Sequence, residues 1–599
     1  MNAHFSIKFR IPFVNVGSIS TFVQIKSGAA SEPHPLVLAA NLKCGSPLSS
    51  QEVPLTKAVV TVGPSCDDAE TLRRLIQAGA TGFRFNMSHV CDEATLQKTL
   101  QTVLRIRLLA AQEKREVAIF ADMKGAEFRV RSDGSIPLAV GDIVRITTRP
   151  GKSSKSGSMV TIHIEGPERY QLVRDLKRHN EPKFMEAARP IVLIDDANVG
   201  IELHHWSELF VADDPDAICG TVRFGSMLHP NKGLNFPGLD LPHLPGMTTA
   251  DHWILEKIFD VNFVAASWGV FQDSDSEIAQ MVADASANGI FHLLGFDYVA
   301  PSFVRTFEDL ERFKHLLQSV AAYHIGLIPK IETGEAVDPD VLSSLMSHPW
   351  TRGVMVARGD LAAQVGLERV PFFQREVLRR AREAGRFSIV ATDVLGSMTA
   401  GNPRATRSEH DGLFGIVEFG GDSFMLSNET AAGKRPAEVV AYALHTLLDR
   451  YMEGVLSQLD VRNSQRVTLL DKAERHYAAM LEDRTISLEM KLQAKLYLDL
   501  MRVTLGADHD PLIDGLVVWS HRGESVRFMA QALPGLPVYV VTDNRRVARE
   551  ASLMRSMYPI LVKEKPRDGK ELLNVVMSTI QPPPGKTDYL LQVMHNLDV

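Results

Sequence analysis

His324-Ile-Gly-Leu-Ile-Pro-Lys-Ile-Glu332 and, shortly after it, Arg352-Gly-Val-Met-Val-Ala-Arg-Gly-Asp360 are short apolar runs that end in charge. Residues two apart in an extended chain point to one face, so Lys330 and Glu332 aim at the same point, and a neighbouring strand brings Asp360 toward them. Two carboxylates so placed can hold a divalent cation, with the lysine facing whatever anion that cation binds. Lys330 and Glu332 alone read as a structural ion pair. Burying three charges together without a function is costly, so Asp360 shifts the reading toward a site with chemistry on a phosphate or an enolate.

Working outward, the same unit recurs: a β-rich apolar run, a polar residue at its end, then a helical stretch. The runs are Lys57–Val62, Gly82–Met87, Val117–Asp122, Asp297–Ala300, Ile325–Lys330, Gly353–Ala357, Ser388–Thr392 and Ser423–Ser427. Between them, stretches such as Asp67–Ala78, Ala94–Ala110 and Pro371–Ala384 carry helical i, i+3, i+4 apolar spacing. Eight such units predict an α/β fold, a closed parallel (β/α)8 TIM barrel, with active-site residues on the rim at the strands' C-terminal ends.

The alternation breaks between Val130 and Leu228, where Leu138–Thr148, Met159–Ile164 and Ile191–Leu203 predict a small inserted β domain poised as a lid over the barrel mouth. Residues 151–157 read as a mobile turn and not a phosphate loop, because the Walker spacing is missing. After the last run, a helical region over about 437–505 leads into strands at Gly515–Trp519, Val538–Val541 and Ile560–Val562, a third, α/β domain. The expected organisation is an extension over 1–54, a barrel over 55–129 and 229–436 with an extra segment about 244–295, a β lid over 130–228, and a connection plus α/β domain over 437–599. Met1–Ser31 contains Lys8, Arg10, Lys26 and no acid, a composition shared by mitochondrial or plastid transit peptides and by disordered tails. Folding is expected to begin near Leu55.

Composition agrees with a multidomain globular chain: 599 residues, 45% hydrophobic and 23% charged. A net charge of −7 gives no global basic field for nucleic acid. Cys44, Cys66, Cys91 and Cys219 lie apart without a C-x-x-C, against a disulfide framework or a cysteine zinc site, and no apolar stretch spans a bilayer.

From about residue 55 onward the chain resembles the pyruvate kinase family. The resemblance rests on Thr61-Val-Gly-Pro-Ser65, Arg84-Phe-Asn-Met-Ser-His89, Asp122-Met-Lys-Gly-Ala-Glu-Phe-Arg129, Lys232-Gly-Leu-Asn-Phe-Pro-Gly238, Val299-Ala-Pro-Ser-Phe-Val-Arg305, Pro329-Lys-Ile-Glu332, Met355-Val-Ala-Arg-Gly-Asp-Leu361 and Met425-Leu-Ser-Asn-Glu-Thr430. It implies transfer of the phosphoryl group of phosphoenolpyruvate to ADP, giving pyruvate and ATP, in a cytoplasmic homotetramer. Glu332 and Asp360 would hold Mg²⁺ or Mn²⁺; Asn86, Ser88, Asp122 and the carbonyl of Met123 would hold K⁺. Lys330 and Arg84 would meet the phosphoryl group, and Lys330 then the enolate. Gly359, Asp360 and Thr392 complete the implied substrate contacts, and Thr392, Ser427 and Glu429 the proton path. Pro64, Asn86, His89, Arg129 and Lys232 match the nucleotide side. Read by itself, His89 is more simply a hydrogen-bonded structural histidine, and Thr392 a strand-capping β-former.

Departures bear on second-rank positions: Ala126 for the family's proline, Val90 for its glycine, Ala362-Ala-Gln-Val-Gly366, and Asp411–Gly420. They leave open an alternative, a non-catalytic pyruvate-kinase-like binding or assembly subunit. Phe259-Asp-Val-Asn-Phe-Val-Ala-Ala-Ser-Trp268 echoes Phe296-Asp-Tyr-Val-Ala-Pro-Ser-Phe303. The second copy is expected to be the fourth strand, and the first an extra strand–helix unit outside the barrel or a gene-structure artefact. Ser520–Ser525 occupies the family's effector turn with few hydroxyls and with Glu524 present, so activation by sugar bisphosphates is expected to be weak or absent.

Overall fold

Short runs buried on both faces cannot sit at a solvated sheet surface, and here they close on themselves. The computed structural model describes residues 20–26, 37–40, 54–166, 169–184, 189–195, 198–211, 214–237, 239, 246–272, 276–287, 291–392, 394–447, 471, 475, 498, 515–531, 536–579 and 588–594. Lys57–Val62, Ala80–Asn86, Ala118–Asp122 and Tyr298–Ala300 form the first four parallel staves; Gly353–Ala357, Phe387–Ala391 and Ser423–Leu426 form the last three. The eighth pairs with the first, Ser423 opposite Lys57. The fifth stave is split into Gly326–Leu327, paired with the fourth, and Lys330–Ile331, paired with the sixth. Pro329 interrupts it, having no N–H for the ladder, while its carbonyl accepts from the Met355 N–H at 3.0 Å.

Helices wrap the outside, beginning and ending on chemical signals. Ala69–Ala78 is capped by the Asp68 carboxylate on the Thr71 N–H and stopped by Gly79 at φ 106°; Glu93–Gln112 starts from an Asp92 capping box with Thr95. The interior of the barrel, including Val59, Phe120, Ile328, Met355 and Ile389, forms one apolar cluster with Leu516 and Val518 of the C-terminal sheet and with Leu553 and Met554 of the turn before its strand Met557–Val562. The C-terminal sheet therefore plugs the end of the barrel away from the mouth. Polar contacts lock the plug: the Ser423 hydroxyl donates to the Leu553 carbonyl at 2.7 Å, and the Arg555 N–H donates to Asp422 at 3.0 Å.

Between the third and fourth staves, strands from Phe128–Val130 to Gly233–Asn235 build a small closed barrel in which Val199–Leu203 pairs with both Ile191–Ile194 and Asp214–Phe224. Part of the expected turn at 151–157 is a strand, Ser154–Ser156, in a hairpin with Met159–Glu165 that reverses at Gly157.

The repeat resolves as expected for its second copy, since Tyr298–Ala300 is the fourth stave. The first copy is a correction: no strand forms there, and Thr249–Phe259 and Val261–Gln272 are helices. Val264 and Trp268, one helical turn apart, are buried, and the Trp268 indole donates to the Leu100 carbonyl at 3.0 Å. The apolar residues serve a helical face against Glu93–Gln112.

A second correction concerns the N-terminal extension. Ser20–Lys26 pairs antiparallel with Asp588–Met594, and Val37–Ala40 with Met557–Val562, so the extension closes both edges of a sheet whose inner four strands are parallel. Ordered structure thus begins before Leu55, because an exposed sheet edge leaves a row of backbone groups unpaired. Most of the expected helical region at 437–505 lies outside the described residues, apart from the helix Pro436–Leu447. Among the described residues no helix is long and apolar enough to cross a membrane.

Candidate active site

Lys330 leaves the split fifth stave with Met355 of the sixth as its register partner. Its ammonium donates to the Ser302 hydroxyl at 2.8 Å and ion-pairs with Glu332 Oε2 at 3.2 Å and Asp122 Oδ1 at 3.4 Å. The Ser302 hydroxyl in turn donates a hydrogen bond to the Met123 carbonyl at 2.6 Å. Glu332 Oε1 accepts the Phe303 N–H at 2.6 Å, and that N–H is aimed inward because Phe303 holds φ 53°, a left-handed conformation that costs a bulky residue about 1–3 kcal/mol. Burial by itself would lower the Lys330 pKa, but Asp122, Glu332 and Asp360 outweigh it and hold the ammonium charged.

Two carboxylates are left with free capacity. Glu332 is fully buried, yet among the described residues its Oε2 accepts no hydrogen bond and has Lys330 as its ion-pair partner. Asp360, in the first turn of the helix Arg358–Val365, has no hydrogen-bond or ion-pair partner among the described residues. Burial first, then Glu332, push its pKa up. No group of three or more His, Cys, Asp or Glu side chains among the described residues forms a ready-made metal cage. Two unsatisfied carboxylates beside an open cavity suit a hard divalent cation that takes its remaining ligands from substrate and water.

The cavity holds about 210 Å³ and opens between the barrel mouth and the inserted domain. Arg84 enters with its Nε and Nη2 on Asp122 Oδ2 at 2.7 and 2.6 Å. Burial raises the Asp122 pKa, but Lys330 and Arg84 more than offset this, and the group stays ionised. From the inserted domain come Arg129, paired with Glu127 at 2.6 Å, and Lys232, paired with Asp195 at 2.5 Å. Burial pushes the Glu127 carboxyl up; Arg129 pulls it back, and Asp360 and Glu332 push it further.

Of the residues expected at the site, Arg84, Asn86, Ser88, Asp122, Met123, Arg129, Lys232, Lys330 and Asp360 line this one cavity, with Glu332 directly behind Lys330. Asn86 Oδ1 caps the Ser88 N–H at 3.2 Å, so the side-chain and carbonyl oxygens of the implied K⁺ set stand on adjacent stave ends.

Others are held elsewhere. Thr392, at φ 66°, accepts the Gly359 N–H at 3.0 Å and donates to the Ala391 carbonyl at 2.7 Å, so the Gly359 N–H is not free for substrate. Glu429 is tied to the Leu395 and Ser427 N–H groups at 2.9 and 2.7 Å, while the Ser427 hydroxyl is buried without a hydrogen-bond partner among the described residues. Pro64 is exposed and outside the cavity lining. Among the described residues His89 has no side-chain hydrogen-bond partner, contrary to the structural-histidine reading; burial, then the Arg84 and Arg129 charges, lower its pKa. Ala362 sits within a regular helix at negative φ, so alanine is accommodated there.

Of the cavity residues without a role read from the sequence, Glu127 and Ser302 bear most directly on the site. Glu127 shares a face with Arg129 by the strand's period of two, the one local signal available. Ser302, which joins Lys330 to Met123, carries no sequence mark beyond its place after the fourth stave.

A TIM barrel with a lysine, two free carboxylates and a ring of cations at its mouth suits phosphoryl transfer. The family model for the pyruvate kinase barrel domain matches residues 53–293 and 288–440, and that for the pyruvate kinase alpha/beta domain matches 502–582. The pyruvate kinase of Staphylococcus saprophyticus is 27% identical over 526 residues, covering 88% of this chain and 74% of its own length. Pyruvate kinase 2 of Synechocystis sp. is 28% identical over 558 residues, with 89% and 78% covered, and the Geobacillus stearothermophilus pyruvate kinase 28% over 515, with 85% and 72%. The chain belongs to the pyruvate kinase family, and its activity is that of a pyruvate kinase.

Proposed function

We propose that the cavity at the barrel mouth binds phosphoenolpyruvate and ADP, and that Lys330 and Arg84 carry the transfer between them. The observation behind this reading is the unsatisfied pair, Glu332 Oε2 and Asp360, beside a charged, buried Lys330. Glu332 and Asp360 fit Mg²⁺ or Mn²⁺, which when bound supplies Lewis-acid neutralisation of carboxylate and phosphoryl oxygens. The oxygens of Asn86, Ser88, Asp122 and the Met123 carbonyl fit K⁺, a hard ion that takes oxygen donors.

The P–O bond to the enol oxygen breaks as a bond from phosphorus to the terminal ADP oxygen forms, leaving ATP and an enolate. Lys330 and Arg84 stabilise charge on the transferring phosphoryl oxygens, and Lys330 then faces the enolate. Arg129 and Lys232 bind the nucleotide phosphates from the inserted domain. A proton delivered to the terminal enolate carbon gives pyruvate; Thr392 orders the water on that side, with Ser427 and Glu429 behind it. By family resemblance the enzyme is a cytoplasmic homotetramer, an assembly that sedimentation tests.

A coupled assay with phosphoenolpyruvate, ADP, Mg²⁺ and K⁺ tests the assignment. Turnover lowered by roughly 10²–10³-fold in Lys330→Met supports it, and unchanged turnover in that variant overturns it.

A further inference from the structure

A serine hydroxyl has one proton to give, and in Ser302 its direction is fixed. A lysine ammonium only donates, so the 2.8 Å contact from Lys330 Nζ ends on a lone pair of the Ser302 oxygen. The hydroxyl proton is left for the Met123 carbonyl at 2.6 Å, with Asp122 Oδ1 a distant second at 3.4 Å. The carbonyl that receives it is itself held. Asp251, fully buried in the first turn of Thr249–Phe259, accepts the Lys124 and Gly125 N–H groups at 2.9 and 3.2 Å and so fixes the turn after Met123. Gly125 stands at φ 67°, and a Cβ there would fall 2.7 Å from the Ser302 side chain, so only glycine leaves the serine its place.

The next residue, Phe303, gives its N–H to Glu332 Oε1 at 2.6 Å from its left-handed backbone. Two consecutive residues therefore take the ion pair apart: Ser302 holds the lysine and Phe303 the glutamate. A buried carboxylate attracts an ammonium more strongly than a neutral hydroxyl does, and a free pair closes to a charge-assisted bond of about 2.7–2.9 Å. Here the ammonium is nearest the hydroxyl, and Glu332 Oε2 stands 3.2 Å away without an aligned donor among the described residues.

We propose that Ser302 is a positioning residue that holds the Lys330 ammonium off Glu332 Oε2 and so keeps that oxygen open to a divalent cation. The proposal rests on the reading of Glu332 and Asp360 as the metal ligands. An ammonium bonded to Oε2 would compete with the cation for the same lone pairs. With Oε1 taken by the Phe303 N–H, Oε2 is the oxygen of Glu332 left for a metal, and the serine decides whether it is reached first by the lysine.

The test measures binding of Mn²⁺ alone to the full-length protein by calorimetry, without substrates. Ser302→Ala is expected to weaken Mn²⁺ binding roughly tenfold, the scale of losing a group that orients a metal ligand. Ser302→Cys, which fills the same space with a poor acceptor, is expected to act in the same direction and serves should Ser302→Ala fail to fold. Because the effect runs through the lysine, Ser302→Ala is expected to change nothing when added to Lys330→Met. An equal loss in both backgrounds makes the serine a structural residue only and overturns the proposal. So does unaltered Mn²⁺ binding in Ser302→Ala alongside weakened binding in Glu332→Gln. Unaltered binding in Glu332→Gln instead overturns the reading of Glu332 as a ligand, and this proposal with it.

Discussion

Lys330 Nζ stands 3.2 Å from Glu332 Oε2, an oxygen that takes no well-aligned hydrogen bond from any described residue. The pair is therefore held by charge alone on one side and by the Phe303 N–H on the other. Lys330→Met removes the cation that Asp122, Glu332 and Asp360 all face, and is expected to lower kcat by roughly 10²–10³-fold, as loss of a transition-state charge partner does. It should also destabilise the fold by about 3 kcal/mol, because two buried carboxylates lose their counterion. Glu332→Gln keeps the Phe303 contact and the shape. Its expected signature is a higher Mg²⁺ requirement with a small change in melting temperature, measured by activity against Mg²⁺ concentration.

Gly233 approaches the site so closely that a Cβ there would fall 1.5 Å from Glu127 Oε1. Gly233→Ala must swing the Glu127 carboxylate away and break its 2.6 Å pair with Arg129. Since a flexible side-chain end gives way and the backbone stays put, stability should change by less than about 1 kcal/mol. The apparent affinity for ADP should fall roughly tenfold with Arg129 released. Steady-state kinetics of Gly233→Ala, Glu127→Ala and the double variant check this: the double variant should resemble Glu127→Ala alone, and strict additivity contradicts the contact.

The barrel was legible because each stave is a run apolar on both faces followed by a polar end, a pattern that survives without any knowledge of pairing. The same logic failed at Phe259–Trp268, where a short apolar run fits strand and helix alike and only the burial of Val264 and Trp268 decides. At the site, Lys330, Glu332 and Asp360 were readable from strand period and position. Glu127 was not, since its role depends on Gly233, which a distant return strand brings against it. Thr392 was readable as a strand end, but its hydroxyl is turned to the Gly359 N–H through a left-handed backbone that no local pattern announces. The strand Ser20–Lys26 has β-forming residues, yet its partner lies at the other end of the chain.

His324 carries a pH-dependent term in stability. Its folded pKa is about 4 against 6.5 for the free side chain, because burial disfavours the charged ring. A depressed pKa contributes stability that is present above pH 6.5 and lost as pH falls toward the folded value, where the unfolded chain binds the proton first. Between pH 7 and pH 5 the loss should be ~2 kcal/mol. His324→Gln should flatten the melting temperature over that interval. An unchanged slope from pH 7 to pH 5 excludes His324 as the group responsible.

The edge strands make the last prediction. Ser20–Lys26 pairs along its whole length with Asp588–Met594, Ser20 opposite Met594 and Lys26 opposite Asp588, while Val37–Ala40 covers the far edge. Deleting residues 1–45 removes both covers yet keeps the Pro54 and Leu55 carbonyls that accept from Tyr558 and the Ser556 N–H. The truncated sheet then presents two rows of unpaired backbone groups, a template for pairing with other chains. Amide exchange in Asp588–Met594 and Met557–Val562 should accelerate, and light scattering should rise with protein concentration. The stave Gly353–Ala357, buried throughout and pairing only within the barrel, should keep its protection. Equal exchange in Asp588–Met594 before and after truncation means the extension does not cover that edge in solution.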